Sequence, residues 1–83
     1  MLRRGRELGL RIMVGCMLES SLLISAGAVI AQATDYADLD GSWLLRDDPF
    51  VVPGTEAGLP LREGILMPGT GLGFGVEPVL GLF

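Results

Sequence analysis

The sequence predicts an α/β fold: a helix, a strand, a helix and a strand, leading into an extended tail rich in glycine and proline. Three observations carry this. An unbroken apolar run, Ile12 to Met17 (IMVGCM), is followed by a longer stretch of small and apolar residues and then by a second short run, Tyr36 to Asp40 (YADLD). All five prolines and nine of the thirteen glycines lie from Gly41 onward. Charge also divides, near Thr34, with four arginines against Glu7 and Glu19 up to Ala33, and eight acids against Arg46 and Arg62 from Thr34 on. The chain therefore reads as residues 1–41, a helix end followed by strand, helix and strand, and residues 42–83, the tail.

Arg3 to Leu10 reads as the end of a helix stopped by Gly9, because glycine adopts the positive φ that commonly terminates helices. Ile12 to Met17 is too short for a helix and has the continuous apolarity of a parallel strand buried on both faces. Ser20 or Ser21 can cap the next element, since a serine oxygen accepts one of the unpaired amides at a helix start. Leu22 to Gln32 is then a helix with a small-residue face that can lie close to a sheet. Tyr36 to Asp40 is a strand ended by Gly41, which completes a βαβ unit. In the tail, Leu59 to Leu61 and Ile65 to Met67 form a hairpin through Arg62-Glu63-Gly64, with glycine in the left-handed position. Gly69 to Gly75 (GTGLGFG) is not G-x-G-x-x-G and precedes no helix pattern, so it reads as a turn-rich loop and not a phosphate cradle.

Composition excludes several classes. A chain of 83 residues is at most one small domain, and its 49% hydrophobic content is too high for a disordered tail. A formal charge of −4 offers no basic surface to nucleic acid. All six basic residues are arginines and there is no histidine, so lysine chemistry and Cys/His zinc sites are absent from the chain. Cys16, the one cysteine, can form no internal disulfide and has no histidine to activate it as a nucleophile. Arg3, Arg4 and Arg6, the apolar Leu22 to Ile30 and Ala31-Gln32-Ala33 imitate an export signal cleaved after Ala33. Arg11 and Glu19 interrupt that pattern, and the same charges argue against a transmembrane helix. The expected setting is cytoplasmic, with neither nucleic acid nor membrane as partner.

Asp38 and Asp40 are the strongest chemical signal. Residues two apart on a strand point the same way, and two converging carboxylates call for a cation; the plainer alternative is a solvated strand end. A calcium loop fits poorly, because Tyr36 would occupy its first ligand position. Glu19, just after the first strand, either lines a cleft or pairs with an arginine such as Arg46. Because loops after parallel strands emerge on one side, Cys16 to Glu19 and Asp38 to Asp40 are expected to share a mouth where such folds bind ligands.

Three segments, "GLRIMVGCMLESSLLISAGAVIA", "DYADLDG" and "LLRDDPF", resemble the C-terminal part of the dipeptide epimerases, the L-Ala-D/L-Glu epimerase group of the enolase superfamily (mandelate racemase/muconate lactonizing enzyme-like). The glycine-rich "GLPLREGILMPGTGLGFGVE" is similar to the closing segment of that family. The resemblance implies that the chain is the last two strands and intervening helix of a modified (β/α)7β TIM-like barrel, with a tail that returns toward an N-terminal capping domain. It implies that Asp38 and Asp40 bind the α-ammonium of a dipeptide substrate, with Cys16, Met17 and Glu19 lining the same mouth. The family's reaction removes and returns an α-proton, using lysine bases and Mg²⁺ held by carboxylates, and the resemblance places all of these upstream of the segments present here. This chain then carries no catalytic residue and no metal ligand, and is expected to be inactive alone as a truncated epimerase. The alternatives are a split-barrel partner that complements a separately encoded piece, and a small exported protein.

Overall fold

In the computed structural model, which describes residues 1–54, 59–79 and 81, the arginine-rich start forms helix α1 (Leu2–Glu7). The chain leaves it through Gly9 at φ 72°, the left-handed stop expected of that glycine. Arg6 then ties α1 to the turn before the second strand: its Nη1 donates to Asp35 Oδ2 at 2.6 Å and its Nη2 to the Ala33 carbonyl at 3.1 Å. The same Asp35 oxygen accepts the Ile12 amide at 2.7 Å, so one carboxylate joins the helix to the base of the sheet.

Strand β1 (Met13–Gly15), helix α2 (Ser21–Ala31) and strand β2 (Tyr36–Asp38) form the expected βαβ unit. The strands are parallel, with Met13 opposite Tyr36 and Gly15 opposite Asp38. Both strands are shorter than the expected Ile12 to Met17 and Tyr36 to Asp40, and β1 is not buried on both faces as its apolarity suggested, because Met13 lies exposed. Cys16 leaves the ladder to meet Gly41, and Asp40 turns into a single 3₁₀ turn, Gly41–Leu44. Helix α2 buries Ser21, Ile24, Ser25 and Ala28, one stripe at the i, i+3, i+4, i+7 spacing. A Cβ on Gly27 would stand 2.9 Å from Leu39 Cδ2, so the small-residue face does bring the helix close to the end of β2.

Ser20 occupies the cap position of α2, but its side chain makes no capping bond. The helix start is satisfied from 27 residues away: Asp48 Oδ2 accepts both the Ser21 amide, at 2.9 Å, and the Ser21 hydroxyl. Ser21 Oγ in turn accepts the Leu59 amide at 3.1 Å. Three chain segments therefore meet at one buried serine.

Beyond residue 41, β3 (Phe50–Val51) pairs antiparallel with β6 (Glu77–Pro78), and β4 (Leu61–Arg62) with β5 (Ile65–Leu66). The second pair is a hairpin where one is expected, but Arg62 pairs with Ile65 instead of joining the connection, so the turn is Glu63 and Gly64 alone, both at positive φ (50° and 79°). This is the two-residue turn whose twist matches the strands it joins. The β3–β6 pairing has no counterpart in the sequence reading. Gly69 and Gly75 pack backbone to backbone, with a Cβ on Gly69 reaching 2.2 Å from the Gly75 carbonyl oxygen. Residues 55–58, 80, 82 and 83 of the expected tail lie outside the described residues.

Burial is slight. The buried apolar side chains among the described residues are Ile24, Ala28 and Leu59. The accessible surface of 6260 Å² exceeds the roughly 4,800 Å² expected of a compact chain of 8.8 kDa. Strand alternation places Met13, Tyr36 and Asp38 on the sheet face opposite α2, where Met13 and Tyr36 are 59% and 51% exposed. No helix among the described residues is long and apolar enough to cross a membrane.

Candidate functional site

Parallel strands end on the same side, so the residues leaving β1 and β2 meet. Cys16 follows the last residue of β1, and Asp38 is the last residue of β2. Asp40, at φ −91° and ψ −2°, is the cap residue of the 3₁₀ turn. A ligand atom from each of these three side chains lies within 4.8 Å of the other two, with both carboxylates exposed and Cys16 half-buried. The two aspartates thus converge as expected, although by a different route. Asp38 arrives by strand alternation and Asp40 by the turn that ends the strand.

The loop that carries Cys16 is locked to that turn. Gly41 donates its amide to Cys16 Sγ at 3.3 Å, and the thiol reaches Asp40 Oδ1 at 3.9 Å. Gly41 is buried, and a Cβ there would fall 1.9 Å from the Met17 carbonyl oxygen, so no larger residue fits without moving the loop. Met17 brings its backbone against the site while its side chain stays 82% exposed. Glu19 folds back on its own loop, with Oε1 accepting the Met17 amide at 3.4 Å. The alternative partner for Glu19 is engaged elsewhere: Arg46 Nε lies 3.6 Å from Asp47.

A largely apolar cavity of about 610 Å³ adjoins the aspartates, between α2 and the β4–β5 hairpin. Ala28, Leu39, Trp43 and Leu66 line it, Asp38 and Asp40 border it, and Cys16, Met17 and Glu19 do not reach it. The sequence marks Ser21 as a possible helix cap and Gly41 as a strand end, but not the close packing of Gly41 on Met17, and it does not single out Asp48. The available signal for Asp48 was its place before Pro49: an aspartate there favours a local turn in which its oxygen accepts the amide two residues on, as Oδ1 does from Phe50 at 3.0 Å.

The chain is 47% identical over 58 residues to an L-Ala-D/L-amino acid epimerase of Pedosphaera parvula, covering 70% of this chain and 17% of that protein. It is 43% identical over 70 residues to a hydrophobic dipeptide epimerase of Roseobacter litoralis, covering 84% and 19%. The chain is related to the dipeptide epimerases. A third such enzyme, an L-Ala-D/L-Glu epimerase of Bacteroides thetaiotaomicron, is 48% identical over 50 residues, which is 60% of this chain and 13% of that one. The chain thus spans less than one fifth of the length of these epimerases. No family profile matches it, and no solved structure matches it.

Proposed function

We propose that the chain supplies the ammonium-binding end of the substrate pocket of a dipeptide epimerase, as the last two strands and intervening helix of an enolase-superfamily barrel. The convergence of Asp38 and Asp40 at the ends of two parallel strands, in a chain related to dipeptide epimerases, carries this reading. Two acceptors that share one ammonium at hydrogen-bonding distance and the tetrahedral angle stand about 4.6 Å apart, and the two carboxylates lie within 4.8 Å of each other. Asp38 and Asp40 would accept from the amino terminus of the dipeptide and orient its α-carbon toward groups outside this chain.

Magnesium fits the cluster poorly. Mg²⁺ takes near-octahedral oxygen ligands, whereas a soft thiol stands beside these two carboxylates. With no lysine in the chain either, the proton transfers and the stabilisation of the enediolate fall to the rest of the enzyme. The chain's own task is to bind and orient. Exposed ion pairs are worth up to about 1 kcal/mol each, so the two aspartates alone would hold a dipeptide with a Kd on the order of tens of millimolar. Exclusion of water by a closed barrel would strengthen both contacts.

The uncovered sheet face supports the same reading, because parallel sheets are covered on both faces in nearly all proteins that contain them. The same uncovered face equally suits a second reading, in which the chain complements a barrel piece encoded separately. One experiment tests the shared core of the two. The Pedosphaera parvula relative is expressed without its matched segment, this chain is added in trans or by fusion, and α-proton exchange into a dipeptide is followed in deuterated water. Exchange that falls at least tenfold with Asp40→Asn supports the proposal. No exchange, under conditions where the relative's own segment restores it, overturns it.

A further inference from the structure

We propose that Cys16 is a positioning residue for Asp40 and makes no contact with substrate. This rests on the ammonium-binding reading of Asp38 and Asp40. The thiol stands between two groups of the following turn: it accepts the Gly41 amide at 3.3 Å and reaches Asp40 Oδ1 at 3.9 Å. The backbone on either side of it is equally constrained. Gly41 is pressed against the Met17 carbonyl, with no room for a side chain, so the end of β1 and the turn after β2 cannot slide past each other.

Asp40 needs such a restraint more than Asp38 does. Both side chains are exposed, but Asp38 belongs to a paired strand, opposite Gly15, whereas Asp40 lies beyond the ladder. A free carboxylate at the start of a turn samples several χ1 rotamers, and a single one keeps it at the spacing a shared ammonium requires. The Cys16 thiol holds that rotamer from one side, while the Gly41 amide, fixed to the same sulfur, holds the backbone from the other. Serine at this position keeps both hydrogen bonds in kind. Alanine and valine remove both; alanine leaves the space of the sulfur empty, and valine fills it with a methyl group while adding a second.

The test compares the wild-type chain with Cys16→Ser, Cys16→Ala and Cys16→Val by NMR. Two readouts need no ligand: hydrogen exchange at the Gly41 amide and the χ1 couplings of Asp40. The third is the chemical-shift change at Asp40 on adding L-Ala-L-Glu at one sub-saturating concentration, with N-acetyl-L-Ala-L-Glu as the control that lacks the ammonium. The expected result is Gly41 exchange about fivefold faster in the alanine and valine variants, the worth of one neutral hydrogen bond. Asp40 couplings should average over rotamers in both, the dipeptide shift should fall by a similar factor, and serine should restore all three. Valine stands in if alanine destabilises the fold. A single Asp40 rotamer retained in a folded alanine or valine variant overturns the proposal. Rotamer averaging in those variants, with no dipeptide shift even in the wild type, upholds the positioning role and removes the ammonium reading instead.

Discussion

Asp48 and Ser21, 27 residues apart, form the joint that holds the start of α2: one carboxylate oxygen accepts both the amide and the hydroxyl of the serine. Ser21 is fully buried, and its oxygen also satisfies the Leu59 amide. Replacing Ser21 by alanine leaves that buried amide without an acceptor, and a cost of roughly 1–3 kcal/mol is expected. Asp48→Ala removes the helix cap, at about 1–2 kcal/mol, and Asp48→Asn should lose less because an amide oxygen still accepts. Urea midpoints of the three variants check this order. Equal stability of Ser21→Ala and wild type would show that the joint carries no weight.

Gly41→Ala should destabilise by about 2 kcal/mol, the usual cost of forcing a methyl group into a filled space. The added carbon would fall 1.9 Å from the Met17 carbonyl, and backbone yields less readily than the tip of a side chain. The check is the same urea midpoint, with NMR shifts of Cys16 and Met17 reporting whether the loop has moved.

Acid should release α1 before the rest of the fold. The Arg6 guanidinium, and then the Ile12 amide, hold the Asp35 carboxyl below its ordinary value. A carboxyl depressed in the folded state favours its ionised form there, so its contribution is complete above the unfolded value of about 3.9 and is lost as pH falls through the folded value. Amide exchange at Ile12 should therefore stay constant from pH 7 to about pH 4, after allowance for intrinsic exchange rates, and then accelerate. Asp35→Asn should abolish that transition.

Glu63→Asn should stabilise the β4–β5 hairpin by about 0.5–1 kcal/mol, because Glu63 sits at φ 50°, where asparagine is far more at ease. A higher melting temperature, with the pairing of Arg62 and Ile65 unchanged by NMR, is the expected outcome.

The βαβ unit was legible because its signals are local: an unbroken apolar run, a small-residue helix, and a glycine before the first strand and after the second. The hairpin was legible for the same reason, since Arg62-Glu63-Gly64 carries a turn signal, although Arg62 belongs to the strand and the turn is Glu63-Gly64 alone. What escaped depends on contacts distant in sequence. Nothing near Ser21 announces Asp48 as its partner, and nothing near Phe50 announces Pro78 across a strand pair. Strand length escaped too, because a ladder runs only as far as its partner does: β1 stops where Cys16 turns to Gly41, and β2 stops where Asp40 enters the 3₁₀ turn. The convergence of Asp38 and Asp40 was anticipated. The thiol lies beside them, and its engagement with Gly41 follows from a backbone path that spacing alone does not reveal.

The two-stranded parallel sheet bears on how assembly would proceed. Among the described residues each of its strands has one neighbour within the sheet, so closing a ring of strands around it would mean forming two new ladders, one on each flank. A partner that met one flank would gain little. A partner that met both would make the second contact intramolecular, at an effective concentration set by the first. Docking of this unit would then be close to all-or-none, and a substitution that weakens either flank would act on the whole closure and not on half of it.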